Sequence, residues 1–101
     1  MLDMWNGGEV KPTKAWQLLD SPEKWCRGEY ALDSNDHPIA SESTGASRWC
    51  AIGAIRAIYG YDAEWATKSL CASVGAPIYL WNDAPERTWE EVYGKLKALD
   101  I

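Results

Sequence analysis

Residues 46–59 read ASRWCAIGAIRAIY, and the reading of the whole chain turns on them. Laid out at about 100° per residue, Cys50, Gly53, Ala54 and Ala57 share one face at spacing i, i+3, i+4, i+7. Ile52, Ile55, Ile58 and Tyr59 take much of the remainder, and only Arg48 and Arg56 carry charge. A helix that is apolar nearly all round is normally buried. The spacing therefore predicts a central helix over residues 46–59, with a small-residue face that lets another helix approach closely. Gly60 follows as its C′ residue.

Downstream of it, Asp62 is placed to cap a helix over DAEWATKSLCASVG, whose inner side would be Trp65, Ala66, Ser69, Leu70 and Ser73. Gly75 and Pro77 stop it in the expected order. PIYLW, residues 77–81, is short, aromatic and β-favouring. It reads as a strand that pairs with a hairpin, or as an extended run across the helices. Thr88 and Glu91 then form a T-x-x-E capping box. Trp89, Val92, Tyr93, Leu96 and Leu99 repeat with helical period. Glu90 and Glu91 lie toward its positive end, Lys95 and Lys97 toward its negative one.

Upstream, Thr13 can cap a short helix over TKAWQLLD, and Ser21-Pro22 starts a second turn that ends at Gly28. Residues 29–45 are rich in Asp, Asn, Ser and Pro, which favour turns. They read as a small hairpin or an irregular excursion. Residues 1–12 hold Gly7-Gly8 and Pro12 and read as a loose arm, with Trp5 able to dock back. The expected fold class is mainly α, with α+β as the alternative. It is a small single domain, residues 13–101, of about four helices around a central buried one, with a short hairpin or extended strands.

The bulk numbers narrow the function. At 101 residues the chain fits one small domain with a thin stability margin. Seven Trp, five Tyr and no Phe give rings that each carry a polar tip. They build a core, or they line a groove or interface, where Trp and Tyr are enriched. Fifteen acids against ten bases leave a net charge of −5 and no basic stripe, which argues against nucleic acid as a partner. No apolar run approaches the roughly 18 residues that span a membrane, so no membrane partner is expected. Asp3, Glu9 and Lys11 interrupt the first residues, which do not read as a signal peptide. Three cysteines at scattered spacing suggest reduced thiols in a cytoplasmic protein.

The quoted segments carry a resemblance. Trp25 to Gly28 with Ala31 and Asp33, Trp49-Cys50 with Gly53-Ala54, and Trp81-Asn82-Asp83 with Arg87-Thr88 and Val92 match the pattern of one family. The chain resembles the bacterial and phage family catalogued as domain of unknown function number 6197, over about residues 13–100. It departs from that pattern in its short N-terminal helix region and at SNDHP, where a Gly would be usual. The resemblance implies a mostly helical single domain, of phage or prophage setting, and brings no activity with it.

Chemistry-bearing patterns are sparse. A Cys or Ser nucleophile needs an adjacent base, and His37, in a turn-like stretch, is the one histidine. Cys50 lies on the buried central helix, where a thiol is inert. No phosphate-cradling glycine motif occurs, and no metal-ligand spacing. No cofactor and no catalytic residue are expected. What remains is arginine beside rings: Arg48 with Trp49, Arg56 near Tyr59 and Tyr61, and Arg87 with Tyr79, Trp81, Asn82 and Asp83. Stacked rings with Arg donors could hold a nucleotide-like anion. The plainer reading pairs each Arg with a surplus acid, Arg87 with Asp83 for example, while Asn82 and Asp83 hold a turn. Tyr79 and Trp81, two residues apart in an extended run, would point one way beside Arg87. The expected function is a small non-catalytic binding protein with a protein partner. Sequestration of a small anionic ligand is the alternative and a Cys/His enzyme a distant third. Self-association into a homo-oligomer follows if the Trp-rich surface is exposed.

Overall fold

The computed structural model describes residues 12–101. The arm expected over residues 1–12, with Trp5, lies outside them save for Pro12. Among the described residues, five α-helices and one two-stranded antiparallel sheet make a mainly α architecture. The helices are α1 (Ala15–Leu18), α2 (Ala51–Tyr59), α3 (Glu64–Val74), α4 (Ile78–Asp83) and α5 (Trp89–Leu99). The strands are β1 (Ala31–Asp33) and β2 (Ala46–Trp49), and a 3-10 turn spans Pro22–Lys24.

The central segment divides where one helix was expected. Residues 46–49 are strand β2, paired Ala31 to Trp49, Leu32 to Arg48 and Asp33 to Ala46, with an irregularity between Leu32 and Asp33. Extended geometry lets Trp49 bury its ring while its indole N–H donates to the Ser41 carbonyl at 2.9 Å. Cys50 is the hinge: its backbone is extended, and its thiol accepts the Gly53 amide at 3.3 Å as the N-cap of α2. Hydrophobic period could not find this boundary, because Ala, Ser and Arg at one end of a run fit either state.

From Ala51 onward α2 is the buried centre: Ala51, Gly53, Ala54 and Ile55 are all enclosed. At Gly53 the neighbour of the small-residue face is a loop backbone and not another helix. The Tyr30 carbonyl accepts the Cys50 amide at 3.1 Å. A Cβ built on Gly53 would lie 1.8 Å from that same oxygen. Only a glycine admits the chain there.

PIYLW is helical, not extended. Pro77 sits at the N-cap of α4 with φ −55°, a start for which its ring is pre-set. Ile78 and Asn82, one turn apart, are the two buried residues of this helix. That i, i+4 pair outweighs the β-preference of Ile, Tyr and Trp, which depends on context.

The remaining helices follow mostly familiar signals. In α5 the Glu91 amide donates to the Thr88 hydroxyl at 3.2 Å, and the Thr88 amide donates to the Glu91 carboxylate at 3.0 Å. Val92 and Leu96 enter the core. Asp100 adopts a left-handed conformation, and the Ile101 amide returns to the Leu96 carbonyl at 3.0 Å, a Schellman closure that buries Ile101. Gly75 closes α3 with φ +71°.

Three caps differ from expectation. Helix α3 starts after buried Ala63, and Asp62 does not cap it. Its inner side is the narrower set Ala63, Ala66 and Leu70, while Trp65, Ser69 and Ser73 face solvent. Helix α1 has Lys14 at its N-cap without a side-chain bond. Gln17 instead reaches back to accept from the Thr13 amide at 2.8 Å. Ser21 precedes Pro22 as expected but makes no side-chain cap. The excursion after Gly28 is the sheet: β1 pairs with β2, and Leu32 bridges to Pro38 across the SNDHP turn.

Candidate functional site

Asn82 is completely buried, and every hydrogen-bonding position of its amide is occupied. Its oxygen accepts the Trp25 indole at 2.8 Å and the Ala51 amide at 3.0 Å. Its nitrogen donates to the Cys26 carbonyl at 3.1 Å and to Asp83 Oδ1 at 2.9 Å. Asp83 Oδ1 also accepts the Gly28 amide at 3.0 Å. Three distant segments therefore meet on one residue pair: the Trp25–Gly28 loop, the start of α2 and the end of α4. A buried amide so fully satisfied positions backbone and has no capacity left for a ligand.

Helical geometry separates Tyr79 from Trp81. Two residues on a helix differ by about 200° around the axis, so these rings leave opposite sides of α4. The extended geometry that would have aligned them is absent from this segment. Trp81 packs on the core and lies under Arg87, whose guanidinium is 4.7 Å from the ring. Arg87 Nε donates to the Trp81 carbonyl at 2.9 Å, and its Nη1 pairs with Glu91 at 3.2 Å, not with Asp83. Its own carbonyl accepts from Arg27.

The other two arginines are engaged separately. Arg48, on β2 beside Trp49, pairs with Asp36 in the SNDHP turn at 3.2 Å. Arg56, on α2, lies between Tyr30 and Tyr61, its guanidinium 4.5 Å and 4.9 Å from their ring centres. The Tyr61 hydroxyl donates to Glu42 at 3.3 Å, which holds its phenol above the usual range. Among the described residues, Arg48, Arg56 and Arg87 thus share no partner.

Tyr79 faces a different feature: a half-open cleft of about 280 Å³ lined by Gly28, Glu29, Tyr30, Cys50, Tyr79 and Asp83. Its walls come from the loop after Gly28 and from α4, and Cys50 supplies part of the floor. Gly28 turns the loop with φ +83°, which sets Glu29 and Tyr30 on the rim. Tyr30, Tyr61 and Tyr79 are exposed by 50%, 62% and 57%, and Arg56 joins the first two.

The pattern of Trp25–Gly28, Trp49–Cys50 and Trp81–Asp83 is therefore one assembly in space. The model of a family described as Family of unknown function (DUF6197) matches residues 13–99. The chain belongs to that family. Neither a curated protein nor a solved structure matched the chain. In this DUF6197 chain, the residues that carry the pattern do so through the Asn82 bonds, which tie two of its segments directly to the third.

The two buried thiols, Cys26 and Cys50, have little nucleophilic character. Burial pushes Cys26 up to about 12, helped by neighbouring Cys50. Burial raises Cys50 too, against the pull of the Gly53 amide. His37 lies in the exposed turn, where its amide donates to Asp33 Oδ1 at 2.9 Å. Among the described residues, no group of three or more His, Cys, Asp or Glu side chains is placed to hold a metal ion. Among the described residues, no helix is long and apolar enough to cross a membrane. Glu29 and Tyr30 are surface residues that the sequence did not single out, whereas Tyr61 stood out there beside Arg56. The available signal was the Gly28-Glu29-Tyr30 sequence, but only the turn at Gly28 brings it to α4.

Proposed function

We propose that the chain is a small, non-catalytic, cytoplasmic interaction protein that binds a protein partner through the face carrying Tyr30, Tyr61 and Tyr79. A phage or prophage setting accompanies this reading through the family resemblance. The observation that carries it is the run of three half-exposed tyrosines connected by Arg56 and by the cleft. Tyr and Arg are the residue types that dominate binding hot spots, because rigid rings bury area at low entropic cost. The low nucleophilicity of Cys26 and Cys50 weighs against a thiol enzyme.

Titration of a partner captured from a bacterial host, onto wild type and onto a Tyr30→Ser/Tyr61→Ser/Tyr79→Ser variant, tests the reading. Saturable binding that the triple variant loses while keeping its helical circular dichroism is expected. Equal binding by the two proteins refutes it. A second copy of the chain is a partner of the same kind, and sedimentation of wild type against the triple variant reads that case.

The alternative, a nucleotide-like anion held by Arg and stacked rings, has less in its favour. Arg48, Arg56 and Arg87 are each committed locally, and the cleft presents carboxylates. Its test is tryptophan fluorescence across a nucleotide set, where a flat response ends it.

A further inference from the structure

We infer that the cleft between Tyr30 and Tyr79 is a receptor for a guanidinium group, presented by an arginine side chain of the partner. This rests on the reading of the tyrosine face as the binding surface, and it names the chemistry at the centre of that face.

Size is the first argument. At about 280 Å³ the cleft sits just below the ~300–1,000 Å³ range of pockets that enclose whole small molecules. It suits a side-chain head more than a nucleotide. Charge is the second. The lining holds Glu29 and Asp83 and no basic residue. Asp83 is held in place through Oδ1, by the Gly28 amide and by Asn82. Among the described residues, nothing hydrogen-bonds its other carboxylate oxygen. A carboxylate fixed this way accepts a cation without first losing its own freedom.

Ring geometry is the third argument. Two tyrosines wall the cleft, and a cation over a Tyr face gains from the ring quadrupole. The molecule already stacks one guanidinium, that of Arg56, on Tyr30 and Tyr61. Arg56 is not part of the lining. It weakens the negative field of the site without filling it. Guanidinium is preferred over ammonium because it is planar, weakly hydrated and able to stack while it bonds a carboxylate. The floor contributes the Cys50 thiol, neutral and enclosed, which leaves Glu29 and Asp83 as the charges that select the ligand.

The test is a titration of ¹⁵N-labelled full-length protein with N-acetyl-arginine amide, N-acetyl-lysine amide and N-acetyl-glutamate amide. The expected result is saturable shifts at Gly28, Glu29, Tyr30, Tyr79 and Asp83 with the arginine probe, weaker ones with lysine and none with glutamate. A Glu29→Gln/Asp83→Asn variant keeps a side-chain oxygen that can accept from the Gly28 amide and from Asn82, and it should weaken the arginine probe about tenfold or more. Tyr79→Ala, at a solvent-facing ring, should weaken it several-fold with the carboxylates intact. A short peptide bearing one arginine should bind more tightly than the single amino acid, which identifies a protein as the source of the group. A free guanidinium compound that outcompetes every such peptide overturns that assignment. If the cleft ignores the arginine probe, or takes the glutamate probe equally, the inference falls. If the tyrosine triple variant still loses its captured partner in that case, the broader reading stands.

Discussion

The side-chain oxygen of Asn82 takes the indole N–H of Trp25 at 2.8 Å, across 57 residues of chain. The same oxygen takes the first amide of α2 at 3.0 Å. Removing it strands the buried Ala51 amide and the half-buried Trp25 indole, and a buried donor left unsatisfied costs about 1–3 kcal/mol. Asn82→Ala should therefore lower the unfolding free energy by roughly 2–5 kcal/mol. Urea denaturation followed by circular dichroism measures this. A loss near zero would mean that the amide is dispensable. Asn82→Asp should also be destabilising, since it sets a second carboxyl beside Asp83.

Gly53 and Gly94 make a matched pair. A Cβ on Gly53 meets the Tyr30 carbonyl at 1.8 Å, whereas one on Gly94 meets nothing within 4 Å. Gly53→Ala should cost about 3 kcal/mol or more, or prevent folding, because backbone must move. Gly94→Ala, on the exposed side of α5, should stabilise by roughly 0.5–1 kcal/mol. Thermal melts of the two variants should shift in opposite directions, and a Gly53→Ala protein as stable as wild type would contradict the close approach.

The capping box gives a third expectation. Thr88→Ala should cost about 1 kcal/mol and Thr88→Ser much less. The Glu91 carboxyl is held below its ordinary range, first by the Thr88 amide and then by Arg87. Asp33 is held down by the His37 and Asn35 amides, and Asp100 by Trp16 and Lys14. Each of these groups is depressed in the folded state, so its contribution is complete above the ordinary carboxylate values of 3.8 to 4.5. It is lost as pH falls through the lower folded values. Stability measured between pH 6 and pH 2 should decline on the acid side, and Glu91→Gln should flatten part of that slope.

Thiol labelling separates the three cysteines. Cys71 is exposed, while Cys26 and Cys50 are buried and held protonated. A disulfide reagent at neutral pH should modify one thiol quickly and the other two only on unfolding. Rapid loss of two or three thiols from the folded protein would contradict their burial.

Much of the architecture was legible from local rules. Thr88 and Glu91 announce α5, Gly75 announces the end of α3, and Ile55 with Gly53 and Ala54 announces a buried α2. What escaped depends on partners distant in sequence. The strand at Ala46–Trp49 exists because β1 lies beside it, and α4 is a helix because Ile78 and Asn82 both need the interior. The Trp-Asn-Asp motif stood out as a candidate ligand site, whereas in the structure Asn82 joins three segments in the interior and lies away from the surface. Tyr30 and Glu29 reach the cleft through the Gly28 turn, which no spacing rule could connect to Tyr79.

The Asn82 bond to Ala51 also changes how α2 breathes. The opening amides of a helix ordinarily fray and exchange with solvent early, because no preceding carbonyl holds them. Here the first of them, Ala51, is fastened to an interior side chain that is itself tied to residues 25, 26 and 83. Releasing it requires the loop, α2 and α4 to part together. In deuterated water that amide should be among the last to exchange, its rate reporting the opening of the whole fold and not of one helix end.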